Sequence, residues 1–295
     1  MKALIIGSTT IDMLDDTSRI GGSTYYGGLT LSKYLGDETH VLTTVDDNVS
    51  SYFHETFSNL RISLHVVKCG KVPHFIIRHG KAVDVLVSEC RIPALVAREL
   101  INIIKPDIIF LAPVYREIDV EEYVSLLRSL RGLTAFKALD IQGLVRVSTS
   151  KGIECRWRED LLDLMSLVNF THGNLREFCF SGNTNQIIEV LVKSEKLRNT
   201  AVAITTDSLG VYLLSNGKCF KATPLKVVSV DEVGAGDVFT ASVAHYAAGG
   251  KDLFYAVRAG VVSASLKVWR ASDVWFTEED LERYLPQVVF EEPCF

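Results

Sequence analysis

Short apolar runs alternate with stretches of helical periodicity along most of the chain. Six runs are rich in β-branched residues and short enough to be strands buried on both faces. They are residues 3–7, 107–112, 136–140, 166–170, 200–205 and 210–214. The stretches with helical periodicity are residues 94–104, 120–131, 158–165 and 185–197, and a further helix is expected at 278–284. This alternation predicts an α/β fold with three α/β/α layers and a mostly parallel central sheet.

Residues 72–88 depart from the alternating pattern. Two β-like runs, 75–78 and 82–87, are separated by His79-Gly80-Lys81 and predict a hairpin. We expect this hairpin to join residues 9–20 in a small antiparallel sheet that closes over a cleft as a lid. The chain is therefore predicted to be a single domain, 1–295, with a lid formed by about residues 9–20 and 62–90.

Charge and apolar content limit the partners that the chain can bind. The formal net charge of −5 comes from 31 Lys and Arg against 36 Asp and Glu. Such a balance does not favour non-specific binding to nucleic acid or to anionic lipid, and a small-molecule partner is expected. The apolar run at residues 3–7 is shorter than that of a signal peptide, and none of the others nears the roughly 18–20 residues that span a bilayer.

Cysteine usage bears on the cellular compartment. The six cysteines lie at positions 69, 90, 155, 179, 219 and 295, without a CxxC pair. A chain of this length does not depend on disulfides to build a core. The sequence therefore predicts reduced thiols in a cytoplasmic protein.

A glycine-rich segment precedes a helix of small residues near position 235. Gly234, Ala235 and Gly236 would let backbone N–H groups approach an anion, and the helix dipole adds positive potential at the same place. Phosphate is the natural ligand of such a turn. Asp237 follows in the first turn, where an acidic residue also serves as a simple cap.

The pattern DxxGAGDxF, from Asp231 to Phe239, resembles the signature of the PfkB (ribokinase-like) carbohydrate kinase family. The resemblance implies a ribokinase-like fold in which Asp237 is the catalytic base and Gly234, Ala235 and Gly236 form the anion hole. Phosphoryl transfer needs an oriented hydroxyl, a nearby base and fixed positive dipoles, and this pattern can supply the last two.

Two further segments resemble the family's motifs for binding the phosphoryl donor, ATP, and its metal ion. Asn174 and Glu177 are three residues apart, a spacing that predicts both side chains on one helix face. They are similar to the family's NxxE motif, which implies that they hold the water shell of Mg²⁺ and that Asn174 also contacts the nucleotide. The loop with Thr205, Ser208 and Gly210 resembles the nucleotide loop, which implies contacts with ATP. Without the resemblance, the first segment is an ordinary solvated helix start and the second an ordinary turn.

Candidate residues for binding the substrate that accepts the phosphoryl group follow the first predicted strand. Gly21 and Gly22 resemble the family's N-terminal glycine pair, which implies a hydroxyl-rich substrate lying against backbone without Cβ atoms. Asp12 matches an acidic residue that binds substrate hydroxyls in many relatives. Tyr25 stands near the place where the family commonly has Asn, so it is a further candidate for substrate binding. The alternative is a glycine turn beside a solvated aspartate.

The segment DIQGLVR, residues 140–146, ends a predicted strand at the ligand face. Together with the paired tyrosines after the glycines, it is similar to the archaeal and plant branch that includes myo-inositol kinases. This resemblance implies that Gln142 and Arg146 contact substrate or phosphate. A plain turn is the competing interpretation.

The predicted function is ATP-dependent, Mg²⁺-assisted phosphorylation of a hydroxyl on a small sugar or polyol, such as myo-inositol or a ribose-like sugar. The enzyme is expected to be cytoplasmic, with a homodimer through the lid as a further expectation. A nucleoside kinase of the same family is the alternative, and lid residues such as His74 and Arg78 would separate the two substrates.

Three other classes of protein fit the sequence less well. A dinucleotide-dependent dehydrogenase needs GxGxxG at the first strand-helix turn, where this chain reads Gly7-Ser8-Thr9-Thr10. A P-loop NTPase needs GxxxxGK[ST], which does not occur in the chain. A non-catalytic binding protein on the same fold stays open but would have no need of Asp237.

Overall fold

The computed structural model describes residues 1–14, 17–78, 81–88, 90–270 and 274–291, apart from the side chains of Lys81, Ser88 and Ser208. The strands in chain order are β1 (Lys2–Gly7), β2 (Thr10–Met13), β3 (Ser18–Gly21), β4 (Glu38–Val45), β5 (Ser63–Lys68), β6 (Lys71–Arg78), β7 (Lys81–Ser88), β8 (Ile108–Ala112), β9 (Phe136–Asp140), β10 (Arg146–Thr149), β11 (Gly152–Cys155), β12 (Phe170–Asn174), β13 (Ala201–Thr205), β14 (Val211–Ser215), β15 (Lys218–Ala222) and β16 (Phe290–Glu291).

The helices lie between these strands and after them. They are α1 (Ser23–Leu29), α2 (Ser50–Asn59), α3 (Ala94–Ile104), α4 (Val120–Ser129), α5 (Gln142–Val145), α6 (Leu161–Met165), α7 (Thr184–Lys193), α8 (Ala235–Ala248), α9 (Leu253–Trp269) and α10 (Glu278–Tyr284). A π-helical turn, Thr30–Tyr34, continues α1. Within the described residues, no helix has both the length and the apolar character that crossing a bilayer requires.

Ten strands form one large sheet in the order β16-β15-β14-β13-β12-β9-β8-β1-β4-β5. The seven strands from β13 to β5 run parallel, and β14, β15 and β16 extend the sheet antiparallel at one edge. This arrangement confirms the predicted α/β class with a mostly parallel central sheet.

Side chains of β1 alternate between the two faces of the sheet. Leu4 and Ile6 pack into the core that α3, α4, α6 and α7 cover. Ala3 and Ile5 point to the opposite core, which residues of α1, α2 and α8 share. Both faces are buried because helices lie on both sides, which explains why the central strands are apolar without alternation.

One predicted strand was misplaced by four residues. The run 166–170 was predicted to be a strand, but β12 begins only at Phe170. Residues 166–168 close the turn after α6, and Val168 donates its backbone N–H to the carbonyl of Met165. The strand instead uses Thr171, His172 and Gly173, because neighbouring strands satisfy its backbone and polar partners satisfy the histidine.

A second sheet, separate from the large one, has the order β3-β2-β6-β7. Its outer pairs are antiparallel as predicted, but β2 and β6 pair in parallel, because both strands run in the same direction across the small sheet. Its side chains Phe75, Ile77 and Val85 pack with Val114, so the small sheet covers the loop after β8. In the predicted lid range of 62–90, β5 belongs to the large sheet, and the small sheet takes only β6 and β7. The His79-Gly80 turn falls outside the described residues, and closure over a cleft stays a prediction.

The cysteines differ from the expectation of reduced thiols. Cys69 is bonded to Cys90 and Cys155 to Cys179, and Cys219 also takes part in a disulfide. The first pair ties the end of β5 to the segment after β7, and the second ties β11 to the turn after β12. The expectation was wrong because wide spacing in the chain carries no information about which thiols meet in the fold.

Removing either described disulfide should lower stability. The pairs close loops of 21 and 24 residues, for which loop-closure entropy gives about 3 kcal/mol each. Serine replacement of Cys155 and Cys179, followed by denaturant unfolding, measures this loss. The disulfides would be contradicted if all six cysteines of the native chain were alkylated after denaturation without reductant.

Candidate active site

The polar residues of interest collect at the carboxyl ends of the parallel strands, the edge where α/β folds bind ligands. Asp140 ends β9, Asn174 ends β12 and Thr205 ends β13. Helix α8 begins beside this edge, because the Asp237 side chain in its first turn is within hydrogen-bonding distance of Gln142, directly after β9. The fold thus brings together segments that are far apart in the chain.

The turn before α8 has a left-handed glycine and packs closely against aromatic rings. Gly234 caps the helix with φ 81° and ψ 2°, and a Cβ there would overlap the ring of Tyr26. A Cβ on Gly236 would come within 2.9 Å of Cε1 of His172. The N–H groups of a first helical turn have no acceptor within the helix, so they can bind an anion. In this turn the N–H of Ala235 donates to the carbonyl of Glu232 at 3.2 Å. Ala235 begins this turn.

Lys267 of α9 donates hydrogen bonds to the backbone just before this turn. Its Nζ donates to the backbone carbonyl of Asp231 at 2.9 Å and also to that of Val233. The side chain is only 3% exposed, and burial lowers the pKa of Lys267 although the Asp231 charge opposes the shift. A buried lysine thus fixes two backbone carbonyls of the segment that leads into α8.

Asp237 is buried and has a defined polar partner. Its carboxylate oxygen Oδ1 lies 3.3 Å from Nε2 of Gln142, and the same amide donates to Oγ of Ser23 at 2.8 Å. Residue 237 is 6% exposed. The Asp237 carboxylate, in the first turn of α8, is therefore held near the first residues of α1 and α5.

The surroundings raise the pKa of Asp237 to about 7. Burial is the largest cause, and the negative charge of Asp140 adds to it. A hydrogen bond with Ser23 and the positive charges of His172 and Arg146 oppose the rise. A carboxylate with a pKa near neutrality is suited to take up a proton during a reaction and release it afterwards.

A buried chain of polar groups lies behind the helix start. His172 Nδ1 is 2.7 Å from Asp140 Oδ2, and His172 Nε2 is 3.1 Å from Thr205 Oγ1. Burial lowers the pKa of His172, but the Asp140 carboxylate more than offsets this effect and the pKa is raised overall. Asp140 also accepts the backbone N–H of Gln142 at 2.9 Å. These hydrogen bonds link the loop after β9 with the loop after β13, which is predicted to bind the nucleotide.

Arg146 lies between the small sheet and the end of β12. Its guanidinium is 5.6 Å from the ring centroid of Phe75 on β6, and Nη2 is 3.6 Å from Oε1 of Glu177. Burial raises the pKa of Glu177, with the nearby charge of Asp140 adding to the shift. Arg146 is therefore placed as a cation among several carboxylates.

Asn174 and Glu177 do not share a helix face. Asn174 instead caps a three-residue 3-10 turn, and Glu177 accepts the backbone N–H of Asn174 at 2.8 Å in a capping box. The Asn174 amide also donates to Asp207 at 3.0 Å. The prediction of a shared helix face was wrong because each side chain satisfies the backbone of this short turn.

These residues fit a hydrated cation better than a directly bound one. Within the described part of the chain, no three His, Cys, Asp or Glu side chains are grouped as a metal site. Burial raises the pKa of both Glu177 and Asp237, and the charge of Asp140 adds to both shifts, so three carboxyl groups lie near one another here. Mg²⁺, which keeps much of its water shell, would offset that charge without displacing the capping bonds.

Asp12 and the glycine pair lie together at the small sheet. Asp12 is buried, accepts the Thr10 hydroxyl at 2.8 Å and lies against Gly21, where a Cβ would overlap its carboxylate. Burial raises the pKa of Asp12. Gly22 has φ 87°, and a Cβ there would overlap the carbonyl of Ser8. Gly21 is thus required by close packing against Asp12, and Gly22 by its positive φ and its approach to Ser8.

The remaining predicted residues have other surroundings. Tyr25 lies edge-on to Tyr26, with ring centroids 5.2 Å apart, and packs against two apolar clusters of the core. Gly210 precedes β14 with φ 106°, and a Cβ there would overlap the carbonyl of Ala222. The side chain of Ser208 lies outside the described part of the structure.

Sequence reasoning missed three side chains of this site. Ser23 contacts the Gln142 amide, His172 contacts Asp140, and Lys267 holds the turn before α8. A histidine inside a buried strand and a lysine inside an apolar helix were the available signals, because burying either group requires polar partners. Only the fold shows what those partners are.

Comparison with known proteins identifies a family match within the chain. Residues 129–274, about half of the chain, match the profile described as pfkB family carbohydrate kinase. No curated protein matches the chain.

Solved structures share the fold at low sequence identity. A pyrophosphate-dependent kinase in the ribokinase family, complexed with a pyrophosphate analog and myo-inositol, aligns with TM-score 0.75 and 20% identity over 96% of this chain and 100% of that one. Ribokinase from Thermotoga maritima gives 0.71 and 19% over 96% and 99%. Ribokinase from Giardia lamblia gives 0.73 and 16% over 96% and 99%.

The matched segment contains β9, β12, β13 and the whole glycine-rich turn with Asp237. Its description names a kinase that acts on a carbohydrate, and the full-length structural matches have the same ribokinase-like fold. This chain is accordingly a member of the pfkB carbohydrate kinase family, a phosphotransferase that acts on an alcohol of a sugar or polyol.

Proposed function

We propose that the protein transfers the terminal phosphoryl group of ATP to a hydroxyl of a small polyol, with myo-inositol as the first candidate. The single observation that carries the proposal is the buried Asp237 carboxylate in the first turn of α8, directly after the Gly234 turn. One place then offers both an anion-binding helix start and a base. The myo-inositol in the structurally similar kinase supports the choice of acceptor.

Asp237 acts as the base in this proposal. The acceptor oxygen forms a bond to the terminal phosphorus, the bond from that phosphorus to the bridging oxygen breaks, and ADP leaves with the electron pair. The hydroxyl proton passes to the Asp237 carboxylate. Gln142 and Ser23 keep that carboxylate oriented, because the Gln142 amide lies between both side chains.

The anion hole and the neighbouring cations bind the phosphates. The N–H groups at Gly234 and Gly236 stabilise charge on the oxygens of the transferred group, and the N–H of Ala235 joins them only if it leaves the carbonyl of Glu232. Mg²⁺, when bound, neutralises charge on the donor phosphates, and Asn174 and Glu177 would hold its waters. Thr205, Ser208 and Gly210 belong to the loop proposed for the nucleotide.

The acceptor would lie between the small sheet and the large one. Asp12, Gln142 and Arg146 supply acceptors and donors for vicinal hydroxyls. Gly21 leaves the space that the Asp12 carboxylate occupies, and Gly22 allows the chain to turn past the carbonyl of Ser8. Tyr25 is proposed only to shape this end of the cleft, since it packs against the core.

Pyrophosphate is a second candidate donor. The structurally similar kinase with TM-score 0.75 is pyrophosphate-dependent. A turn that binds a terminal phosphate can accept either donor, because it contacts the transferred group and not the adenine. The donor therefore has to be decided by assay.

The test is a matrix of donors and acceptors. ATP, ADP and pyrophosphate are each incubated with myo-inositol, ribose, fructose, adenosine or cytidine in the presence of Mg²⁺, and the phosphate ester is detected by ³¹P NMR. We expect myo-inositol and ATP to give the highest kcat/KM. A preference for adenosine or cytidine would support a nucleoside kinase instead, and no ester from any pair would refute the proposal.

The pH dependence should follow ionisation of Asp237. The base works only when deprotonated, so kcat/KM should rise with pH up to about 7, where the Asp237 pKa lies, and then level off. The profile is measured from pH 5.5 to 9 at fixed free Mg²⁺. A rate that is flat between pH 5.5 and 8 would contradict the raised pKa as the controlling ionisation.

A further inference from the structure

An arginine of the small sheet reaches the motif that carries the anion hole. Arg19 lies on β3, and its guanidinium forms a two-pronged ion pair with Asp231, with Nη1 3.0 Å from Oδ2 and Nη2 3.2 Å from Oδ1. The two residues are 212 positions apart in the chain. The pair therefore joins the small sheet to the start of the glycine-rich turn.

Asp231 is tied directly to that turn. Its Oδ1 accepts the backbone N–H of Val233 at 3.1 Å, and its Oδ2 lies 3.4 Å from Nζ of Lys267. Burial raises the pKa of Asp231, but the Arg19 hydrogen bond and the Lys267 charge outweigh burial and lower it overall. The ionised carboxylate thus fixes Val233, the residue before Gly234.

Arg19 is also tied to the acceptor side. Strands β2 and β3 pair so that Arg19 lies opposite Asp12. Strand β3 ends at Gly21 and leads within two residues to Ser23, which contacts Gln142. A shift of β3 relative to the glycine-rich turn would therefore displace the acceptor residues and the base relative to each other.

We propose that Arg19 is a positioning residue that couples acceptor binding to donor binding. The fork with Asp231 holds the acceptor strands at the distance at which the anion hole and Asp237 meet the same hydroxyl. The inference rests on the proposed function, because it assumes an acceptor at the small sheet and a phosphate donor at the turn. The pair is about one-third exposed, so it contributes little to folding stability and its loss should appear mainly in binding and turnover.

A double-mutant cycle tests the coupling. Arg19→Met keeps an apolar stem and removes the fork, and Asp231→Asn keeps an oxygen for the Val233 N–H while removing the charge. We expect each single variant to raise the KM for acceptor and for donor about tenfold, with the double variant no worse than either single one. Arg19→Lys should recover part of the loss, because it restores the charge without the fork.

A matched control removes a similar fork elsewhere. Arg270 pairs with both oxygens of Asp280 at 2.7 and 2.8 Å, between the end of α9 and α10. Arg270→Met should leave both KM values near those of the wild type, even if its Tm falls. Equal KM changes in the Arg19 and Arg270 variants would indicate general loosening and overturn the positioning role.

Binding measurements separate this inference from the proposed function. Calorimetry records the affinity of a non-hydrolysable ATP analogue, and of pyrophosphate, with and without myo-inositol. We expect myo-inositol to tighten donor binding at least fivefold in the wild type and to have no effect in Arg19→Met. Unchanged coupling in that variant, purely additive effects in the cycle, or no coupling in the wild type would overturn the role of Arg19. Absence of phosphate ester from the wild type would instead refute the proposed function.

Discussion

Asp237→Asn should lower kcat by about a thousandfold or more while the affinity for the phosphate donor stays within a few-fold of the wild type. Positioned bases contribute about 10²–10⁴-fold to rates, and the acceptor hydroxyl would have no other carboxylate in the first turn of α8. Asparagine retains the shape of the side chain, so the contact with the Gln142 amide and the turn at Gly234 should persist. Steady-state kinetics and calorimetric donor binding measure the two effects separately.

The same substitution, Asp237→Asn, should lower activity but raise stability. The folded-state pKa of about 7 lies above the ordinary value of 3.8, so the folded state binds more protons between these values and loses stability as the pH rises through them. Asp237→Asn removes this cost, and its Tm advantage over the wild type should grow from pH 5 to pH 8. Near-normal turnover, or a Tm difference that does not change with pH, would contradict the assignment of Asp237 as a buried base.

Gly234→Ala should have the second-largest effect, because it disturbs the anion hole itself. The residue has φ 81°, and its Cβ would overlap the ring of Tyr26. We expect unfolding free energy to fall by about 3 kcal/mol from strain and overpacking together. We also expect kcat/KM to fall by about a hundredfold, the effect seen when one donor of an oxyanion hole is lost. Denaturant unfolding and steady-state kinetics measure these losses.

Gly250 provides a matched control for the backbone strain. It follows the other end of α8 and has φ 83°, and a Cβ at this position would meet no described atom within 4 Å. Gly250→Ala should cost about 1 kcal/mol from its left-handed backbone alone and leave kcat/KM unchanged. If Gly234→Ala also lost only about 1 kcal/mol of unfolding free energy and kept its kcat/KM, the close contact between Tyr26 and the turn would not be needed for activity.

Much of the fold could be predicted because buried strands and helices have recognisable patterns of apolar residues. The helices Ala94–Ile104 and Glu278–Tyr284 and the strand Phe136–Asp140 were predicted with their observed bounds. The error at β12 has the opposite cause: residues 171–174 are polar or small, so their burial depends on partners from other segments. Periodicity cannot show partners that the chain supplies from a distance.

The candidate site was only partly predictable. The Gly234 turn and Asp237 could be identified locally because one short motif carries both the helix start and the carboxylate. Arg19 gave no such signal, since its partner Asp231 is 212 residues away. The spacing of Asn174 and Glu177 was read as a helix face, but the same spacing also suits a capping box. Sequence therefore identified chemical groups more reliably than their geometry.

The small sheet has a consequence for the order in which the chain folds. Its central strands β2 and β6 pair in parallel. In the chain they are separated by β4 and β5 of the large sheet and by the helix α2. Closing that long loop costs less entropy once β1, β4 and β5 are already paired, because the ends of the loop are then held near each other. We infer that the acceptor cleft is completed late, so a nascent or refolding chain should acquire its sheet core before it can recognise a polyol.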